Sequence, residues 1–238
     1  MRKLLTSPRA VAGLTLDRID QDTRLFELAG GDLHLRLVEP GQESRTNTQA
    51  FIARAYRRVF DADLHTFYPS LIALHGQDNR LDGAAGARYA DGQHLFLEQY
   101  LSAPVEHLIS ELHGKDIRRD SIVELGNLSV NRPALTYPFI GMIGGWLQTY
   151  QVEWIVFALT RTLRRLFERA GVEMLDLGPA EPSYLAPSPN NWGRYYEHNP
   201  RVMAACLAPG INHFQLRHGS ILGNTGDRTT KGRLACCP

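Results

Sequence analysis

From residue 33 the chain shows regular patterns of apolar and polar positions. In LHLRLVE (33–39), leucine and valine alternate with polar residues, the two-residue period of a half-buried strand, and Pro40-Gly41 ends it. In NTQAFIARAYRRVF (47–60) the period changes. Phe51, Ile52, Ala55, Tyr56, Val59 and Phe60 fall at helical spacing with Arg54, Arg57 and Arg58 largely opposite, which predicts an amphipathic helix. SLIALHG (70–76) and LDGAAGARYA (81–90) read as the two strands of a hairpin turned by QDNR. LFLEQYL (95–101) reads as a short strand or a structured loop. The next helix takes Ser102 as its N-cap, Pro104 in its first turn, Val105, Leu108, Ile109 and Leu112 on one face, and Gly114 at its end.

SIVELGNLSV (121–130) predicts a strand, NRPAL a loop, and TYPFIGMIGGWLQTY (136–150) a glycine-rich helix with a stripe of Phe139, Ile140, Ile143, Trp146, Leu147 and Tyr150. EWIVFALT (153–160) is the unbroken apolar run of a strand buried on both faces. RTLRRLFERAG (161–171) predicts a helix, VEMLDLG (172–178) a strand, and PAEPSYLAPSPNN (179–191) a proline-rich loop. WGRYYEHNPRVMAACL (192–207) opens as a helix that Pro200 interrupts or restarts, and INHFQLR (211–217) is a candidate last strand. Residues 1–31 read as an irregular lead-in and 219–238 as a polar, poorly ordered tail. The alternation predicts an α/β fold: one domain over 32–218, a mixed central sheet flanked by helices on both faces, with parallel units from 121 to 178.

Composition narrows the partners. A formal net charge of +1 gives no global pull toward nucleic acid or membrane. Cys206, Cys236 and Cys237 are no disulfide framework and show no metal-ligand spacing, so a reducing cytoplasm is the expected compartment and no metal is expected. Pro8, Arg9 and Asp17 break any apolar core of a signal peptide, and no run reaches the ~18 apolar residues of a spanning helix.

The candidate chemistry begins at Glu124. Strict alternation puts Ile122, Glu124, Gly126, Leu128 and Val130 on one face. A carboxylate among aliphatics is desolvated, and its pKa rises unless a cation such as Arg88, Arg118 or Arg119 pairs with it; such tuning suits a general base or acid. Gly126-Asn127 predicts either a bulge that opens the strand to a ligand or a glycine packed under the Trp146 helix. Gly141, Gly144 and Gly145 each cost roughly 1 kcal/mol against alanine, which tight packing or a nearby ligand would offset. Tyr195 and Tyr196 are phenols able to protonate a leaving thiolate, His198 lies close by in sequence, and Trp192 reads as core. Cys206 sits in an apolar stretch, where thiols are inert. No GxSxG, P-loop or GxGxxG occurs.

LFLEQYL…PVEHLI, IVELGNLSV, WIVFALTRTLRRLFERAGV and NWGRYYEHNPRVMAACL resemble the thermostable hemolysin family over about 45–215. That resemblance implies a GNAT-like fold, with acyl-homoserine-lactone synthases as nearer relatives. RRVF (57–60) resembles the Arg and Phe that end their first helix. ELGN (124–127) stands at their Glu-x-x-Arg, with Asn127 in place of the arginine, and His65 and Phe67 stand where they carry tryptophan. NRPALTYP keeps Arg132 but lacks the glycines that cradle a CoA pyrophosphate in GNAT enzymes.

The resemblance implies an N-acyltransferase. It would move a long-chain acyl group from an acyl-CoA or acyl-carrier-protein thioester to a small amine or amino acid, with no tightly bound cofactor. It casts Glu124 as base, Tyr195 or Tyr196 as acid, and Gly126, Asn127, Leu128, Ser129 and Arg132 as the donor site. Arg58, Phe60, Glu98, Trp146 and Trp192 would contact substrate, and the space between the 122–130 and 153–160 strands would hold the acyl chain. Arg161, Arg164 and Arg165 would meet an acidic carrier protein. The alternatives are a cytolytic, membrane-active protein, as the family name suggests, and a catalytically degenerate thioester-binding fold, favoured by the missing glycines and arginine.

Overall fold

The computed structural model describes residues 26–28, 33–76, 78–187, 190–210 and 221–222. Among them, strands β1 (Phe26–Leu28), β2 (Leu33–Val38), β3 (Ser70–Gly76), β4 (Leu81–Tyr89), β5 (Ile122–Val130), β6 (Trp154–Leu159), β7 (Leu175–Pro179), β8 (Arg201–Cys206) and β9 (Ile221–Leu222) form one sheet. Its order is β7-β8-β6-β5-β4-β3-β2-β1-β9. The helices are α1 (Glu43–Phe60), α2 (Val105–His113), α3 (Thr136–Gln148) and α4 (Arg161–Arg169).

Alternate residues of each strand go to opposite faces, and the partners identify the layers. Leu71 and Ala73 of β3 pack with Phe51, Ile52 and Tyr56 of α1, whereas Ile72 and Leu74 pack with Phe139 and Trp146 of α3. In β6, Trp154 and Val156 meet Val105 and Ile109 of α2, whereas Ile155 and Phe157 meet α3 and Phe167 of α4. Helices α1 and α2 therefore cover one face and α3 and α4 the other. The unbroken apolar run of β6 is explained by burial on both sides.

Several local expectations fail for identifiable reasons. RVMAAC is a strand, not a continued helix. Tyr195–His198 forms only a 3-10 turn, Asn199 ends it at φ 48°, and Pro200 leads into β8. Val202 and Ala204 face α2 while Met203 and Ala205 face α3, so the period of two is hidden because every residue is apolar. Parallel pairing holds for β5 and β6, but β8 inserts between β6 and β7, antiparallel to both. Of the two readings of LFLEQYL, the strand fails and the structured loop holds, as a 3-10 turn over Phe96–Tyr100. Ser102 does not cap α2. The helix starts after Pro104, and the Glu98 carboxylate accepts from Val105 N at 3.1 Å in its place. Within the supposed irregular lead-in and tail, Phe26–Leu28 and Ile221–Leu222 are the paired strands β1 and β9. The rest of those segments, and INHFQLR, lie outside the described residues.

Candidate active site

The site is made by an interruption in β5. The pairing of β4 with β5 runs from Tyr89 opposite Val123 to Gly86 opposite Gly126, then shifts so that Ala84 faces Ser129. The extra residue forms a bulge, and Asn127 takes φ 52°, a region asparagine tolerates better than other side chains. The bulge reverses the phase of the strand. Leu128 and Val130 pack on the cluster that holds Val123 and Leu125, not with Ile122 and Glu124 as strict alternation has it. On the other edge, pairing with β6 ends at Leu125 opposite Phe157, although both strands continue. β5 and β6 therefore part at the bulge.

A cavity of about 140 Å³ lies there. On the α3–α4 side it is walled by Leu125, Leu128, Ile140, Phe157, Leu163 and Phe167; on the α1–α2 side by Tyr56, Phe60, Phe96, Trp192 and Tyr195. The aromatic wall is continuous, with ring centroids 5.1 Å apart for Phe60–Tyr195 and 5.9 Å for Phe96–Trp192. A smaller cavity of about 50 Å³ reaches Gly141 and Gly144 and shares Ile140, Phe157 and Phe167 with the first. At the rim, Asn190 Oδ1 accepts from His65 N at 2.7 Å and Thr66 N at 2.9 Å, tying the loop after α1 to the loop before β8.

Glu124 is 0% exposed. Its Oε1 accepts from Tyr68 Oη at 2.8 Å and Leu97 N at 3.0 Å, and its Oε2 from Phe96 N at 2.9 Å. Burial pushes its pKa up; the Tyr68 hydroxyl, the two backbone N–H groups and the charge of Arg88 pull it back, and the net shift is upward. Of the arginines considered as its partners, Arg118 binds Asp120 and Arg119 binds Glu98 and Glu106. Arg88, opposite Glu124 in the sheet, lies 5.5 Å from the centroid of the Tyr68 ring.

Tyr68 lines the cavity, with Glu124 behind it. A Cβ at Gly86 would lie 2.6 Å from the Tyr68 ring, and one at Gly126 would lie 2.5 Å from its hydroxyl. The glycine in β5 thus seats a phenol on the α1 face and is not a contact under the Trp146 helix.

The structure brings Phe60, Gly126, Asn127, Leu128, Trp192 and Tyr195 to the cavity wall. Tyr195 donates to Ala158 O at 3.4 Å, on the diverging end of β6. Tyr196 is not on the wall; its hydroxyl is 2.8 Å from that of Tyr100, which is. Burial raises the pKa of both Tyr195 and Tyr196. The remaining candidates lie off the wall. Ser129 donates to Asn127 O at 3.1 Å. Arg132 lies beyond β5, 4.0 Å from Asp82. Arg58 is exposed on α1, and Trp146 is buried in α3 beside Tyr150. Glu98 is a clamp: it binds Arg119 and accepts from Leu95 N at 2.9 Å and Val105 N at 3.1 Å. Those bonds fix the turn whose next two N–H groups point at Glu124.

Sequence reasoning missed Tyr56 and Tyr68 as site residues and took Arg88 only as a partner for Glu124, not as part of a cavity wall. Tyr68 sits between helix and strand, where no periodicity marks it. Its signal was the pair Gly86 and Gly126, legible only once β4 is known to pair with β5.

A model of the thermostable hemolysin family matches residues 38–211. The chain belongs to that family. No curated protein matches the sequence. Among solved structures, a CoA-dependent acyl-homoserine lactone synthase, BjaI, with MTA is similar at a TM-score of 0.51 and 14% identity, covering 87% of this chain and 96% of that one. The same synthase with SAM and isopentyl-CoA gives 0.50 and 12%, with the same coverage of 87% and 96%. FeeM, an N-acyl amino acid synthase from uncultured soil microbes, gives 0.50 and 14%, covering 74% and 92%. At such identities the likeness shows the fold, which for this family member is GNAT-like. Among the described residues, no helix is long and apolar enough to cross a membrane.

Proposed function

We propose that the protein is an N-acyltransferase that moves an acyl group from a thioester of CoA or acyl carrier protein to a small amine or amino acid. The carrying observation is the parting of β5 and β6 at the Gly126-Asn127 bulge. There an apolar slot and an aromatic chamber meet at strand backbone. The slot suits an acyl chain and the chamber an acceptor. The shared fold of a CoA-dependent lactone synthase and an N-acyl amino acid synthase supports the same assignment.

In this reading the amine nitrogen attacks the thioester carbon, and backbone N–H groups of the 126–129 stretch hold the oxygen as it gains charge. Glu124 does not meet the amine directly. The amine proton passes to the Tyr68 hydroxyl as Tyr68 passes its own proton to Glu124. The C–S bond breaks, and Tyr195, or Tyr196 through Tyr100, protonates the thiolate. Arg161 and Arg165, exposed on α4, are the surface offered to a carrier protein; Arg164 is half-buried and donates to Leu159 O at 3.3 Å and Asn199 O at 2.8 Å.

The test is thioester consumption with long-chain acyl-CoA and acyl carrier protein donors across an amine panel, for wild type and Glu124→Gln. Transfer by wild type with loss in the variant is expected. Equal rates would remove Glu124 as base, and no consumption with any donor would remove the enzyme reading.

A further inference from the structure

We infer that the acceptor is an α-amino acid with an apolar or aromatic side chain, its carboxylate held by Arg88. The inference rests on the acyltransferase reading and names the acceptor class for that site. Among the described residues lining the cavity, Arg88 is the only charged one, and no carboxylate lines it. Its charge reaches Glu124 across the strand pair, while its half-buried guanidinium lines the aromatic cavity and presents five N–H donors in a fork that fits a carboxylate. The structure holds Arg88 in place by one bond to His94 O at 3.2 Å and by its position over the Tyr68 ring. That leaves donors for a ligand.

Position decides which substrate the anion belongs to. Arg88 is level with Glu124, where β5 and β6 are still paired through Val156. The slot for the acyl chain opens only beyond Leu125. Arg88 therefore belongs to the acceptor chamber. One carbon separates the carboxylate and amine of an α-amino acid, so a carboxylate on Arg88 sets the amine beside Tyr68, over which Arg88 lies. Asn127 offers a second polar contact on the same wall: its amide meets the Tyr56 hydroxyl, and its Oδ1, buried without a hydrogen-bond partner among the described residues, can accept from the amine. The substrate side chain then falls among Phe60, Phe96 and Trp192.

The experiment compares each amino acid with its decarboxylated amine, phenylalanine with phenethylamine and leucine with isoamylamine, at fixed donor and pH. Wild type is expected to favour the amino acid by about tenfold to a hundredfold in kcat/KM, the range set by charged hydrogen bonds. Arg88→Gln brings that ratio toward one, and Arg88→Lys keeps part of it. Equal use of the two amines, or preference for the decarboxylated one, overturns the inference while leaving acyl transfer intact. Calorimetry on donor-free protein provides an independent readout: phenylalanine binds wild type, binds Arg88→Gln at least about tenfold more weakly, and phenethylamine does not bind. If no amine is acylated, the acyltransferase reading fails, and absent phenylalanine binding then also overturns the role of Arg88.

Discussion

Tyr68 donates its hydroxyl to Glu124 at 2.8 Å from a seat formed by two glycines that face each other on neighbouring strands. Neither glycine could gain a side chain without displacing the phenol. The arrangement joins four parts of the chain: the segment before β3, Gly86 of β4, the middle of β5, and the 3-10 turn whose Phe96 and Leu97 N–H groups complete the carboxylate's bonds.

Gly126→Ala places a Cβ 2.5 Å from the Tyr68 hydroxyl, so the ring must shift, which disturbs its bond to Glu124. The expected loss is about 1–3 kcal/mol of stability by chemical denaturation, the usual cost of overpacking, together with most acyl-transfer activity. Tyr68→Ala in the same chain removes the clash, so the stability losses are expected to be strongly non-additive. Additive losses would mean that the glycine serves some other contact.

The pH profile follows from Glu124. As base it must be ionised, and burial puts its pKa above the ordinary 4.5. Below that raised pKa it carries a proton and cannot accept one, so kcat/KM should rise with pH along an acidic limb centred above 4.5. The Tyr68 hydroxyl bonds the ionised form and pulls the pKa down. Tyr68→Phe should therefore move the limb of the residual activity to higher pH, which a rate–pH series at constant ionic strength would read. A limb that stays put would separate Tyr68 from the titrating group.

Much of this fold is legible in sequence because its elements differ in period. SLIALHG matches β3 residue for residue, and α1, α3, α4, β5 and β6 match within a few positions. What was not legible is long-range. β8 is apolar on both faces and so shows no alternation. The clamp by Glu98 and the seat of Tyr68 depend on which strands and turns meet. The bulge illustrates both sides: Gly126-Asn127 marked it, but its reversal of which residues face α3 follows only from the register with β4.

Glu98 should dominate the acid sensitivity of the turn that holds Glu124. Burial alone would raise its pKa, but Arg119 and the N–H groups of Leu95 and Val105 outweigh it and bring it to about 2. A depressed folded pKa gives stability that is fully present above the unfolded value of 4.5 and is lost as pH falls toward about 2. Glu98→Gln should flatten that part of the stability–pH curve. At neutral pH it should cost about 3 kcal/mol, the low end for broken buried pairs, since Arg119 remains partly exposed. Urea unfolding at several pH values gives both quantities, and an unchanged slope below pH 4.5 would exclude Glu98 as the source.

The costly glycines of α3 gain a purpose if the acyl chain passes between β5 and β6 into the smaller cavity, whose walls include Gly141 and Gly144. Ile140, Phe157 and Phe167 stand where the two spaces meet, so a chain anchored at the bulge would run past them toward the helix. Each methylene buried there contributes roughly 0.8 kcal/mol, so two methylenes amount to about tenfold in kcat/KM. Wild type should therefore favour longer donors stepwise until the space is filled. Gly144→Leu would occupy that space, and its penalty should grow with chain length, leaving acetyl transfer nearest to wild type. Gly144→Ala, which adds one carbon and improves helix propensity, should show the same trend more weakly. Rates with acetyl, hexanoyl, decanoyl and myristoyl donors read the trend directly. A penalty equal for all chain lengths would place the acyl chain elsewhere and return the glycines to packing alone.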